Sequence, residues 1–425
     1  MPTRMASANK ASKSKSSIHS NNRGQIPIIV WRKTSLAHFI FGLRWNAIWL
    51  VLALLATTLL GCASAPPATT APAETAQPAA TPTIAATSSE VIVQAQSRWV
   101  PVDWSDLPGF DNDDLSAAWN AWLRSCERPG PIWAALCAQI RPLALANSDQ
   151  QRDWIKRHLR PYRVESLHGA SSTGLLTGYY EPLLHASRQP SARHTVPLYS
   201  PPAGLRPGQP WHTRQEMDTS AQAQAALAGQ AIAWLEDPLD ALALHIQGSG
   251  RVRITEPDGS ERLVRLAYAA SNEQPYRSVG QWLRQQGLVT DASWPGIRAW
   301  AARNPQRVQE MLWSNPRVVF FREEPLSDLD ARFGPRGAQG VALTPERSIA
   351  VDPRSVPYGT PVWLVSHGPM QSLQRLVLAQ DTGSAIVGAV RADYFTGWGE
   401  QAAQLAGSLR QNLRLWVLWP AGAAR

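Results

Sequence analysis

The chain reads as a mainly β protein with accessory α-helices, and three observations carry that expectation. From Gly174 onward, short runs rich in β-branched and aromatic residues are separated by Gly and Pro. From Gly334 the texture is largely β-like, through Val341–Thr344, Ile349–Asp352, Pro361–Val365, Leu376–Leu378 and Leu413–Trp419. Helical spacing is confined to about 113–160, an Ala-rich stretch at 220–234, and 279–313.

At 425 residues, a prior of roughly 150 per domain predicts two domains plus non-globular sequence, and 44% hydrophobic content is ample for their cores. The net charge of +9 is unevenly spread. Residues 1–61 hold eight Lys and Arg and no acidic residue, so residues 62–425 carry only +1. A near-neutral globular part argues against nucleic acid as a partner.

The basic skew belongs to the N-terminus. After Arg44 an apolar stretch of about 14 residues ends at Leu59-Leu60-Gly61-Cys62, too short for a transmembrane helix, which needs about 20. This pattern resembles the lipobox of bacterial lipoprotein signals. That resemblance implies a signal peptide over 1–61, cleavage before Cys62 and lipidation of its thiol; an uncleaved anchor is the alternative. Ala63 and Ser64 carry no acidic retention signal, so the expected location is the outer membrane, facing the periplasm. Residues 62–97 are dominated by Ala, Pro, Thr and Ser and cannot bury enough surface to fold. Extended at about 3.1 Å per residue, this tether reaches on the order of 100 Å.

Folding is expected to begin near Arg98. Leu115, Trp119, Trp122 and Cys126 recur at helical spacing; Pro131 opens a second helix with Trp133 and Cys137; a third runs from about Asp149 to Arg160. The apolar stripes read as core. Cys126 and Cys137 are the cysteines left beside Cys62, and both a disulfide and two buried free thiols are open to them.

Three compact motifs follow. Thr177-Gly178-Tyr179-Tyr180-Glu181-Pro182 offers either a groove edge, with Glu181 bonding a ligand, or a strand end with its tyrosines in the core. His245-Ile246-Gln247-Gly248-Ser249-Gly250 lacks the spacing of a phosphate-binding loop. Gln247 and Ser249 there suit hydrogen bonds to a polar ligand, and a plain hairpin turn is the commoner use. Ser271-Asn272 precedes Pro275-Tyr276.

The densest chemistry lies in Leu376–Gly399. An apolar run ends at Asp381-Thr382-Gly383-Ser384, a second covers Ala385–Val387, and Asp393 stands twelve positions after Asp381, between Ala392 and the aromatics Tyr394 and Phe395. A carboxylate desolvated by such neighbours has a raised pKa and can donate a proton near neutrality. The structural alternative is a turn cap for Asp381 and backbone bonding for Asp393. Asp352, in a loop between two strands, is a third acid.

Taken in order, Thr177–Pro182, Gln247–Gly250, Ser271-Asn272 with Pro275-Tyr276, Asp352-Pro353, Asp381-Thr382-Gly383 and Asp393-Tyr394-Phe395-Thr396-Gly397 resemble the membrane-bound lytic murein transglycosylase A family. The resemblance spans about Trp99 to Pro420, and Asp352, Asp381 and Asp393 match its three-aspartate domain. It implies a double-psi β-barrel from 98–187 and 325–425, with a smaller β domain inserted at 188–324 and a glycan groove where they meet. It further implies cleavage of the β-1,4 bond between N-acetylmuramic acid and N-acetylglucosamine, leaving 1,6-anhydro ends. Asp393 would be the single acid/base, Asp381 its catalytic neighbour and Asp352 a support. Tyr179, Tyr180, Glu181, Gln247, Ser249 and Asn272 would bind the glycan. Partners would be peptidoglycan strands, the membrane through Cys62, and proteins of cell-wall synthesis or division.

Two rivals are weighed. Asp381-Thr382-Gly383 also resembles the aspartic peptidase motif, but no second Asp-Thr/Ser-Gly exists, which leaves only a dimeric version. A non-catalytic wall-binding lipoprotein is the other. No cofactor or metal is expected: the histidines after Cys62 form no HxxxH or HxxE pair, and Cys126 and Cys137 lack zinc-ligand spacing.

Overall fold

The computed structural model describes residues 90–328, 330–369 and 371–422. The expected signal, Cys62 and the tether up to residue 89 lie outside them. The chain is mainly β with accessory helices, built as a barrel with a second, smaller β domain inserted.

The first sheet runs in the order β1 (Ile92–Val93), β2 (Ser97–Pro101), β3 (Leu159–Ser166), β15 (Arg410–Pro420), β12 (Pro361–His367), β13 (Ser372–Asp381), β11 (Ser348–Val351), β14 (Arg391–Trp398) and β4 (Gly174–Glu181). A further pairing of β4 with β15 closes the last six into a barrel, which removes their exposed edges. Two of its pairs, β11 with β13 and β4 with β14, are parallel, so the chain must cross over between them.

Three helices cover the barrel: α1 (Leu115–Ser125), α2 (Pro131–Ile140) and α3 (Ser148–His158). Asp114 caps α1 by accepting from the Ser116 amide, and Asn147 with Gln150 makes a capping box for α3. Their indoles, Trp119, Trp122, Trp133 and Trp154, join Trp99, Trp363 and Trp416 in one core with the barrel. A buried ion pair fastens the helices down: Arg347 donates to both oxygens of Asp113, at 2.7 and 2.9 Å. A disulfide links Cys126 to Cys137, settling the alternative that the sequence left open.

The second sheet runs β10 (Val319–Pro325), β9 (Glu261–Ser271), β8 (Gly250–Thr255), β5 (Leu183–Ser187), β7 (Ala231–Leu235), β6 (Val196–Tyr199). Because β5 pairs here, the chain enters the insert at Pro182 rather than at the expected 188. Proline has no amide to extend the β4 ladder, and its carbonyl accepts from the Arg251 amide instead.

A buried ionic knot joins the two sheets. Glu181, at the end of β4, accepts from Arg251 of β8 at 2.8 Å and Arg265 of β9 at 2.6 Å. The two guanidinium groups also donate to the Ala331 and Phe333 carbonyls, and Arg251 lies 3.8 Å over the Trp398 ring.

Several local expectations give way. The Ala-rich stretch is not one helix: after α4 (Arg214–Thr219), α5 (Ala221–Leu227) stops, Gly229 turns at φ 74°, and the β-branched and aromatic residues beyond it join β7. The Gln247–Gly250 motif is no hairpin, because α6 (Pro238–Gln247) ends there and Gly248, at φ 82°, is its left-handed C-cap. Ala385–Val387 forms no strand, with a turn at Ser384-Ala385 and irregular backbone after it, and Val341–Thr344 makes only an isolated bridge between Arg336 and Ala342.

Two stability measurements test these joints. Changing Cys126 and Cys137 together to Ser frees a loop with a separation of 11 residues; urea unfolding should show a loss of about 2–3 kcal/mol, with the wild type matching the variant once reduced. Glu181→Ala strands two buried guanidinium groups and should cost about 3–5 kcal/mol in the same assay.

Candidate active site

One residue without functional groups organises the acids. Ala350, on β11, is the register partner of Asp381 on β13 and of Asp393 on β14. Asp393 is in turn opposite Thr177 on β4, and Phe395 opposite Tyr179. Register partners share a sheet face, so Asp381, Ala350, Asp393 and Thr177 form one row across four strands. Each strand step is about 4.8 Å, which sets the two acid backbones roughly 10 Å apart. Strand alternation sends Ala392 and Tyr394 into the barrel core and leaves Asp393 and Phe395 on the opposite face.

Asp393 is partly exposed and accepts a short hydrogen bond from the Thr177 hydroxyl. Arg391 donates to that same Thr177 oxygen at 2.8 Å. Burial pushes the Asp393 carboxyl up to about 6; the Thr177 bond and the Arg391 charge pull it down, and the nearby Asp381 charge adds a smaller upward push. The expected raising is present, but Tyr394 has no direct part in it: its hydroxyl points away and donates to the Glu346 carbonyl. Arg391 is close enough to oppose the shift. Thr177 was not among the expected site residues, although it stands in the motif singled out; no local signal distinguishes a threonine facing an acid.

Asp381 is held from two sides. The Tyr179 hydroxyl donates to one oxygen at 2.8 Å and the Ala338 amide to the other at 2.9 Å. Burial raises its pKa against these bonds, and the same burial with the Asp381 charge drives the Tyr179 phenol well above its ordinary value. The loop carrying Ala338 passes so close that a side chain at Gly337 would come within 2.5 Å of the Gln380 carbonyl. Gln380 itself is buried and donates to the Ala121 carbonyl and the Ser125 hydroxyl of α1, both at 2.8 Å.

A cleft of about 500 Å³ opens over this face, between barrel and insert. Tyr179, Asp381 and Phe395 line its barrel side; Gln247, Ser249, Tyr268 and Arg317 line the insert side, and Tyr180 joins them. Gln247 lines the cleft and spends its side-chain oxygen on the Tyr180 amide at 3.0 Å. Asp393 stands beside this volume rather than in its lining.

Two expected binders are placed elsewhere. Glu181 is 0% exposed and is consumed by Arg251 and Arg265, because it ends β4 where the insert packs onto the barrel. Asn272 is also 0% exposed; it donates to the His212 and Pro316 carbonyls and accepts from the Val318 amide, tying three insert segments together. Asp352 is buried, accepting from Arg354 and from the Gly388 amide. Burial pushes its carboxyl up, but these bonds outweigh it and hold the pKa below the ordinary value. It therefore braces the turn between Asp381 and Asp393. Among the described residues no group of three or more His, Cys, Asp or Glu is placed to hold a metal ion.

Linkage supplies a test that needs no substrate. Because the folded pKa of Asp393 is raised, its favourable contribution is present at acid pH and lost as pH climbs through about 6. Asp393→Asn should therefore melt higher than wild type at pH 8 and gain little at pH 4.

Comparison with known proteins agrees with the fold and the order of the motifs. Residues 175–322 match the MltA specific insert domain, and residues 347–419 the 3D domain. The solved lytic transglycosylase LtgG of Burkholderia pseudomallei is 42% identical, with 78% of this chain and 97% of that one covered and a TM-score of 0.53. MltA from Neisseria gonorrhoeae, in its monoclinic form, is 29% identical over 79% and 96% of the two chains, with a TM-score of 0.66. Membrane-bound lytic murein transglycosylase A of Vibrio cholerae is 29% identical over 306 residues, 67% of this chain and 77% of the relative. With both domains matched and nearly the whole of a 42%-identical relative covered, the chain belongs to the membrane-bound lytic murein transglycosylase A family.

Proposed function

We propose that the protein is a peptidoglycan lytic transglycosylase, a glycan lyase that breaks the β-1,4 bond between N-acetylmuramic acid and N-acetylglucosamine without water. The observation that carries this reading is the raised Asp393 carboxyl, in one row with Asp381, which lines the cleft between two domains. A glycosidase ordinarily needs two carboxylates, one to protonate the leaving oxygen and one to handle a nucleophile or water. When the muramic acid 6-hydroxyl is the nucleophile, one acid serves twice. Protonated Asp393 gives its proton to the leaving O4 of N-acetylglucosamine as the C1–O4 bond breaks. The 6-hydroxyl oxygen then bonds C1, and its proton passes to the Asp393 carboxylate. The products are a free 4-hydroxyl and a 1,6-anhydro ring, with the enzyme restored.

Thr177 and Arg391 hold Asp393 and keep its pKa from rising further. Asp381, fixed by Tyr179 and the Ala338 amide, hydrogen-bonds the sugar, with Tyr180, Gln247 and Ser249 on the walls beside it. Lipidation at Cys62 would anchor the enzyme in the outer membrane, and the tether would let it reach the wall from there.

The test is digestion of purified murein sacculi, with mass spectrometry of the released fragments. Muropeptides lighter by one water at the muramic end are expected. The rate should drop by about 10²–10⁴ in Asp393→Asn, the usual weight of a general acid. In the wild type it should fall as pH rises through about 6, where the acid loses its proton. Reducing-end products would make the enzyme a hydrolase, and tight binding without release would make it a wall-binding protein.

A further inference from the structure

Nineteen tryptophans are present, and the largest buried ones fill the barrel core. Two others, Trp282 and Trp313, flank a separate groove of about 630 Å³ on the insert domain, together with Tyr276. Trp282 belongs to α7 (Val279–Gln285) and rests on a small core that includes Val279, Leu283 and Trp300, so its ring is firmly seated yet only half-buried. Trp313 ends α9 (Val308–Trp313), which follows α8 (Trp294–Arg303), and its indole N–H donates to Asp218 at 2.7 Å, fixing the ring plane. The exposed amides Gln281 and Gln285 and one exposed cation, Arg277, also line the groove; carboxylates enter only at its edge, where Asp218 bonds Trp313 and Glu216 bonds Thr213.

This chemistry is selective. Flat, rigid rings offer their faces to the C–H faces of pyranose rings at little entropic cost, and neutral amides pair with hydroxyl and N-acetyl groups. The groove also abuts the cleft: Pro316 lines the groove, while the next residue, Arg317, lines the cleft.

We infer that the Trp282–Trp313 groove binds a second stretch of N-acetylhexosamine glycan, holding the polymer while a neighbouring stretch occupies the cleft. This rests on the glycan-cleaving reading above. A second foothold on the same polymer makes engagement of the cleft intramolecular, so it lowers the apparent KM for long strands and does nothing for a fragment too short to reach it.

The experiment uses the full chain in detergent, with Trp313→Ala and Gln281→Ala. Gln281 is exposed, so that variant guards against a simple folding failure of the first. Rates are measured on intact sacculi and on a soluble muropeptide tetrasaccharide. The expected result is an apparent KM on sacculi raised about tenfold by Trp313→Ala, the effect of losing one aromatic anchor, and raised by less in Gln281→Ala. Neither kcat nor tetrasaccharide turnover should change. An unchanged KM on sacculi in both variants would overturn the groove, and so would an equal loss on the tetrasaccharide, which would make Trp313 a support of the cleft. If the wild type turned over neither substrate, the glycan-cleaving reading would fail first.

Discussion

The site depends on a buried charge cluster that touches no substrate. Glu181 ends a barrel strand, and Arg251 and Arg265 come from two strands of the insert. Withdrawing three charged groups from water is costly, and it is tolerated only because each is answered by partners. The carboxylate is shared by two guanidinium groups, whose remaining hydrogens meet the Ala331 and Phe333 carbonyls and whose planes include one laid on Trp398. A hydrophobic contact of the same area would hold the domains together less specifically. This cluster ties the end of β4 to two strands of the insert in one geometry.

Along the row of acids the electrostatics are graded rather than maximal. Desolvation alone would push both acids up strongly, and donors placed at each one limit the shift: Thr177 and Arg391 at Asp393, Tyr179 and two backbone amides at Asp381. An acid with a pKa near 6 can be protonated when substrate arrives and still release its proton within the cycle. Asp352 is the counter-case. Buried but fully hydrogen-bonded, it is held below the ordinary range, which suits a brace and not a proton donor.

Legibility in the sequence followed the range of the forces involved. Helices over 115–125, 131–140 and 148–158 could be read because capping and 3.6-residue periodicity act over a few positions. The Ala-rich stretch departs from its helical pattern where a single Gly229 lets tertiary pairing take over. Glu181 suggests a groove edge because it follows two tyrosines, and Asn272 because the family resemblance places it there; burial, which makes both internal ties, is not a local property. Thr177 carries no local signal for the same reason, since its partner lies 216 positions away.

The sequence by itself determined the class of the protein and the order of its motifs, because composition, periodicity and spacing along the chain are local. Only the tertiary structure decided that Asp381 and Asp393 share a row, that Thr177 meets one of them and Tyr179 the other, and that the insert supplies the opposite wall. Those facts hang on the strand register through Ala350. Register comes from closing the whole barrel, where a slip of one residue would turn both acids into the core.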